Sequence, residues 1–246
     1  MSDLRLRTVV LSSFALLSLF CLPLPAAFAQ TPPAASSSAF GEWVSIQLLP
    51  LLGSPVQVAS GPLPAVSGSA YPLYDQSKQA ASAQVSVPGL GNVLQTGVLM
   101  GNAASPVPIG TAAMSDTMVV SVQVRLAAVL SLLNLSADAV SSKALVYCPC
   151  VSGTAVSGGM VNLAKAKLNG LSLDVHPAPN TVLLDVAGLR VVLNEQILDV
   201  QGYDTELTVN AVHISLDALP IDGVGVLTGD IILAQSRSEV RCFVPE

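Results

Sequence analysis

Hydrophobic and polar residues alternate with a period of two along much of this chain. The clearest runs cover residues 83–87, 119–125, 171–175 and 207–216. Alternation of this kind, broken by Gly, Pro and Asn, is typical of half-buried antiparallel strands. The breaks are closely and regularly spaced, which predicts an all-β fold, either an antiparallel β-sandwich or a jelly-roll-like domain. An irregular β-solenoid is the alternative.

One hairpin is predicted in detail. Residues 190–200 form its first strand, residues 201–204 the turn, and residues 205–210 the returning strand. Gly202 lies in the turn, where a tight reversal requires a positive φ that glycine adopts without strain.

The apolar segment 126–135 is ambiguous between a short buried helix and a strand, because short apolar runs do not distinguish the two. Its flanks alternate like strands and no helix cap precedes it. We therefore expect strand–turn–strand.

The N-terminus has the three parts of a secretory signal peptide in order. Arg5 and Arg7 supply positive charge, residues 9–22 are mostly apolar, and small residues precede a cleavage point after Ala29. The apolar run is shorter than the roughly 20 residues that a membrane span needs. We predict that residues 1–29 are removed, that no transmembrane anchor remains, and that the protein is secreted, extracellular or periplasmic.

The rest of the chain divides into two parts. Residues 30–39 are rich in Pro, Ala and Ser and predict a flexible leader. Residues 40–246 then form a single β-rich domain, because no second linker interrupts them.

The composition excludes some functions. The formal net charge is −6, and removal of the signal makes the domain more acidic, so nucleic acid is not an expected partner. Hydrophobic residues make up 51% of the chain and charged residues only 11%, which predicts a folded domain with an uncharged polar surface. Such a surface suits contact with cell-envelope or matrix components. The oligomeric state is not predicted.

The cysteines predict a disulfide. Of the four, Cys21 leaves with the signal, so Cys148, Cys150 and Cys242 remain in an oxidising compartment. We expect Cys242 to pair with either Cys148 or Cys150, closing a loop of about 90 residues that would stabilise the fold by roughly 4–5 kcal/mol. One C-x-C without a spaced histidine pair does not predict a metal site.

No catalytic or cofactor-binding residue is predicted. The nucleophile-elbow motif G-x-S-x-G and the dinucleotide fingerprint are both absent. Glu195, Asn210 and His213 form a candidate polar cluster around the hairpin. A hydrolase would require Glu195 and His213 to converge with an Asp or Ser in a cleft. We lean towards a protein that is not an enzyme.

Three aromatic residues are candidate ligand contacts. Tyr71 and Tyr74 flank a loop-like stretch, and Trp43 precedes an apolar run. Aromatic platforms are common on carbohydrate-binding surfaces, so these residues predict an alternative function as a glycan- or peptidoglycan-binding module.

A succession of short segments carries a family resemblance. They are Ser86-Val87-Pro88-Gly89-Leu90, Thr96-Gly97-Val98-Leu99, Ala137-Asp138-Ala139-Val140-Ser141-Ser142, Pro177-Ala178-Pro179-Asn180-Thr181, Val191-Val192-Leu193-Asn194-Glu195-Gln196, Thr208-Val209-Asn210-Ala211-Val212-His213-Ile214 and Gly229-Asp230-Ile231-Ile232. In this order they resemble the choice-of-anchor P family of bacterial secreted or surface proteins. The resemblance implies a β-rich extracellular domain and no established reaction, so it assigns no catalytic residue. The C-terminus lacks a sorting motif, which favours release over covalent attachment. We expect a non-enzymatic secreted or cell-envelope protein with a structural, adhesive or matrix-associated role.

Overall fold

A computed structural model describes residues 34–70, 73–106, 112–127, 131–149 and 154–242, and these residues contain fifteen strands and no helix. The strands are β1 Ala34–Pro50, β2 Val56–Ser69, β3 Asp75–Ala80, β4 Ala83–Val87, β5 Gly91–Thr96, β6 Leu99–Ala104, β7 Ala112–Ala127, β8 Ser131–Tyr147, β9 Val156–Ala164, β10 Lys167–Leu168, β11 Leu171–Ser172, β12 Thr181–Val186, β13 Leu189–Gln201, β14 Asp204–Ile221 and β15 Gly225–Arg241. The predicted all-β fold is confirmed.

The strands form two antiparallel sheets that pack face to face. Sheet A has the order β12-β13-β14-β15-β1-β2. Sheet B has the order β11-β10-β8-β7-β5-β4, with β6 pairing to β7 and β3, and β9 pairing to β8. Aliphatic side chains from both sheets, such as Ile214 and Leu135, fill the space between them. The antiparallel sandwich is therefore confirmed, and the chain does not adopt the solenoid.

Both local strand predictions are also confirmed. Gln201 pairs with Asp204, so a two-residue turn joins β13 to β14, and Gly202 has a φ of 63° in that turn. The ambiguous segment 126–135 is strand on both sides, because β7 runs to Ala127 and β8 begins at Ser131. The residues between these two strands lie outside the described ranges.

The predicted leader is wrong for residues 34–39, which already belong to β1. This part of β1 pairs with β15 on one side, and from Ser36 onward it also pairs with β2 on the other. Its inward residues Ala35, Ser37 and Ala39 are almost fully buried. Small side chains point alternately inward and outward along this part of β1, and the inward ones fit a closely packed strand. Its content of Ala and Ser is also typical of a linker, which is why composition alone predicted the wrong structure. The predicted signal peptide, residues 1–29, lies outside the described residues. Across the described ranges the structure holds no helix that could cross a membrane.

A disulfide joins the two sheets at one end of the sandwich. Cys148 follows β8 of sheet B and Cys242 follows β15 of sheet A; their Cα atoms are 5.6 Å apart and they are separated by 94 positions in the chain. Of the two pairings that the sequence left open, the structure has Cys148–Cys242. Cys150 lies outside the described residues.

A row of four neighbouring residues in sheet A interrupts the strand ladder, and we call this row the crease. It contains Gly41, Ala234, Ala211 and Asn194, each skipped while residues on both sides remain paired. Asn194 and Ala234 have left-handed φ values of 49° and 53°. The alternation of inward and outward side chains changes phase there: in β14 the odd-numbered residues up to 209 face the core, and from 212 to 216 the even-numbered ones do.

Sheet B has a matching interruption. Ser121 and Asp138 are skipped between paired residues of β7 and β8, and Ser121 has a φ of 56°. Lys165 follows β9 with a φ of 49° and forms an ion pair with Asp138 at 2.8 Å. Both sheets therefore shift phase near the middle of their long strands.

Candidate functional site

The three residues of the predicted polar cluster lie together on the outer face of sheet A, and Asp230 joins them. Glu195 on β13 pairs directly with Asn210 on β14, and the Asn210 side chain donates to Glu195 Oε2 at 2.7 Å. His213 Nδ1 lies 2.8 Å from the same Glu195 oxygen. On the other side, His213 Nε2 lies 3.1 Å from Asp230 Oδ1 on β15. The cluster thus spans three adjacent strands.

The two carboxylates determine the protonation of His213. A carboxylate can only accept hydrogen bonds, so each of these two contacts favours a proton on the ring nitrogen of His213 that faces it. The hydrogen bond to Glu195 raises the pKa of His213 above 6.5 against the opposing effect of burial, and Asp230 raises it further. In turn, the hydrogen bond from His213 lowers the pKa of Glu195 below 4.5. The favoured state is an imidazolium between two carboxylates.

Gln235 extends this network towards β1. Its side-chain amide donates to Asn210 Oδ1 at 2.7 Å, so Asn210 is held on both sides and is almost fully buried. The strand register places Gln235 opposite Phe40 of β1. A continuous hydrogen-bonded row therefore runs from Glu195 to Gln235 and ends beside an aromatic residue.

The crease brings Asn210 and His213 onto one face. Simple alternation places residues three positions apart on opposite faces of a strand. The phase change at Ala211 cancels this and turns both side chains outward. The sequence indicated the three cluster residues from their neighbourhood, but it contained no signal for their register or for Asp230.

Ser215, His213 and Glu195 are arranged like the three residues of a catalytic triad, but the surroundings of His213 do not suit catalysis. Ser215 Oγ lies 3.2 Å from His213 Nε2, and Glu195 occupies the other ring nitrogen. A general base needs an unprotonated Nε2 to take the serine proton. Asp230 favours the protonated form of that nitrogen, so His213 is poorly suited to activate Ser215.

The aromatic candidates have different positions. Tyr74 is buried, with its hydroxyl 2.8 Å from Ser37 Oγ, so the prediction of an exposed Tyr74 in a ligand surface is wrong. The residues around Tyr74 are typical of a loop, and that local pattern does not indicate that the tyrosine ring packs against β1 and β2. Tyr71 lies outside the described residues. Trp43 is half-buried and shares a cross-strand row with Ile232 and His213 on the outer face of sheet A.

The acidic residues around the hairpin turn are engaged by arginines. Asp204 accepts two hydrogen bonds from Arg241, at 2.6 and 2.8 Å, and Glu206 accepts two from Arg237. Among the described residues, no three metal-ligating side chains of Cys, His, Asp or Glu form a group that could hold an ion. Surface ion pairing accounts for this cluster.

Glu42 is a buried carboxyl group that sequence reasoning missed. Its side chain is fully buried in β1, Oε1 accepts a hydrogen bond from Ser60 at 2.8 Å, and Oε2 has no hydrogen-bond partner among the described residues. Burial raises the pKa of Glu42, which favours its neutral form. The apolar residues around it in β1 predict a strand but not a carboxyl group pointing inward.

The comparisons with known proteins add no relative: the chain matches no protein-family model, no curated protein and no solved structure.

Proposed function

We propose that this is a non-enzymatic exported protein that acts by contact with components of the cell envelope or of an extracellular matrix. The observation that carries the proposal is the state of His213, whose two ring nitrogens both face carboxylates. The polar cluster is therefore a fixed hydrogen-bonding surface. The signal-like N-terminus and the low content of charged residues support an extracytoplasmic role.

The contact surface in this proposal is the outer face of sheet A. Its polar groups are cross-linked to one another over β13, β14 and β15, so little side-chain entropy is lost when a partner binds. Membership of the choice-of-anchor P family, proposed from the succession of short segments, agrees with a surface role. Bacterial origin is part of the same proposal.

A hydrolase is the second candidate, because Glu195, His213 and Ser215 do converge. Two observations weigh against it. Asp230 Oδ1 lies at 3.1 Å from the nitrogen that would act as base. The three side chains also lie on the outer face of sheet A and are only partly buried, so water reaches them, whereas a closed active site expels it.

A sedimentation experiment tests the contact function. The purified chain from residue 30 onward would be mixed with intact producing cells and with their isolated envelope material, and the bound fraction measured after washing. We expect retention that saturates with added protein. Absence of retention on both materials would contradict the proposal.

A further inference from the structure

We propose that the outer face of sheet A binds a neutral, hydroxyl-rich saccharide between its aromatic side on β1 and its carboxylates on β13 and β15. This inference rests on the proposed contact function and names the ligand class for that surface. Two cross-strand rows carry it. The first runs Phe40–Gln235–Asn210–Glu195 and the second Trp43–Ile232–His213–Val192.

The aromatic side would supply the stacking platform. Phe40 and Trp43 are both half-buried, so each ring is held by its neighbours and still has exposed surface. An aromatic face contributes large apolar area at low conformational cost. Strands lie about 4.8 Å apart, so the two rows span about 14 Å from β1 to β13. That distance suits an extended chain of a few sugar rings better than a single ring.

The polar side would supply fixed hydrogen-bond acceptors. Glu195 Oε1, Asp230 Oδ2 and Gln235 Oε1 accept no hydrogen bond from the described residues, while the other polar atom of each side chain is already bonded. None of these three oxygens is buried. Each side chain is thus oriented by one atom and open at the other. Hydroxyl groups would donate to them, and donation to a carboxylate gives the stronger hydrogen bond.

The charge of this surface selects among saccharides. Both Glu195 and Asp230 are acidic, and the whole chain carries a formal charge of −6. These two carboxylates outnumber the single positive charge of protonated His213 between them, so a uronic acid or phosphate on the ligand would meet net like charge here. A neutral saccharide carries hydroxyl donors without that repulsion. Among the described residues, no group of side chains could hold a metal ion. An acidic glycan bound through a bridging metal is therefore not favoured either.

The test uses isolated envelope material in three forms: untreated, oxidised with periodate to cleave vicinal diols, and digested with protease. Two variants change the surface. Trp43→Leu removes the larger of the two aromatic rings but keeps apolar bulk, and Asp230→Asn removes one charged acceptor but keeps the shape. Their matched controls lie on sheet B, namely Tyr147→Leu at a 39% exposed aromatic residue and Asp138→Asn at an exposed carboxylate. Thermal unfolding would confirm that all four variants are folded.

We expect the parent chain to bind protease-digested envelope material as it binds untreated material, and not to bind material oxidised with periodate. Each sheet A variant should bind untreated material with about tenfold weaker affinity, and the two controls should bind it like the parent chain. If binding survives periodate, or if the folded Trp43→Leu and Asp230→Asn variants both bind like the parent chain, the saccharide inference is overturned while the contact function stands. Absence of binding to untreated envelope overturns the contact function itself. If Trp43→Leu fails to fold, Asp230→Asn and the periodate arm still decide.

Discussion

Glu195 Oε2 lies 2.8 Å from His213 Nδ1, across two strands that the sequence predicted as a hairpin. Through this contact the pKa of His213 is raised and the pKa of Glu195 is lowered. The pair therefore stabilises the fold only while His213 is protonated and Glu195 is ionised. This makes the outer face of sheet A a pH-dependent element of stability.

The His213→Gln substitution should lower stability in a defined pH window. The contribution of His213 is fully present below its unfolded pKa near 6.5 and is lost as pH rises through the raised folded pKa. The contribution of Glu195 to stability is present above its unfolded pKa near 4.5 and is lost as the pH falls through its lowered folded pKa. Between pH 4.5 and pH 6.5 we expect the free energy of unfolding of His213→Gln to be about 2 kcal/mol lower than that of the parent chain.

Urea unfolding from about pH 4 to pH 9 checks this prediction. The gap between the parent chain and His213→Gln should narrow as the pH rises above the window. His176→Gln is the matched control, because His176 is an exposed residue whose ring, among the described residues, forms one hydrogen bond, to a carbonyl oxygen at 3.3 Å. A gap that stays constant with pH would show that His213 contributes by packing alone.

Loss of the Cys148–Cys242 disulfide should be the largest single destabilisation at the end of the sandwich. The bond links positions 94 residues apart and joins sheet B to sheet A. Loop-closure entropy predicts that Cys148→Ser, Cys242→Ser and the double variant each lose about 4 kcal/mol. Guanidinium unfolding would measure the loss. Cys150→Ser serves as the control and should unfold like the parent chain; an equal loss there would indicate a different pairing.

The Gly229→Ala substitution should disrupt the pairing of β1 with β15. Gly229 has a φ of 126°, and an added Cβ would lie 1.9 Å from the carbonyl oxygen of Ser45. We expect a loss of more than about 3 kcal/mol of unfolding free energy. Gly158→Ala is the control, because nothing lies within 4 Å of a Cβ at that position. Equal thermal unfolding of the two variants would contradict the strand geometry described for β15.

The sequence predicted the fold better than it predicted the site. Period-two alternation and turn residues were sufficient for the all-β sandwich and for the hairpin around Gly202, because both depend on local pattern. The partner of Cys242 was left between two cysteines only two positions apart, and only the three-dimensional register separates them. Tyr74 was expected in a loop surface, but the ring packs against β1 and β2, a long-range contact that loop composition does not report.

The candidate site depended on register, which local pattern does not determine. Glu195 and Asn210 pair directly. Asp230 enters from β15 without any sequence signal, since nothing near it in the chain indicates which residue of the neighbouring strand it faces. The crease changes which residues face outward, and its left-handed residues Asn194 and Ala234 look unremarkable in the sequence.

The crease also limits how this chain can change length. Because it resets the inside–outside alternation in four neighbouring strands at once, deletion of one residue from a single strand at that row would turn half of that strand's apolar side chains to solvent while its neighbours kept the old phase. A distant relative with the same sandwich must therefore gain or lose the phase shift in all four strands together. A search pattern that allows one coordinated skip at Gly41, Asn194, Ala211 and Ala234 describes such a sequence, whereas a pattern of strict alternation does not.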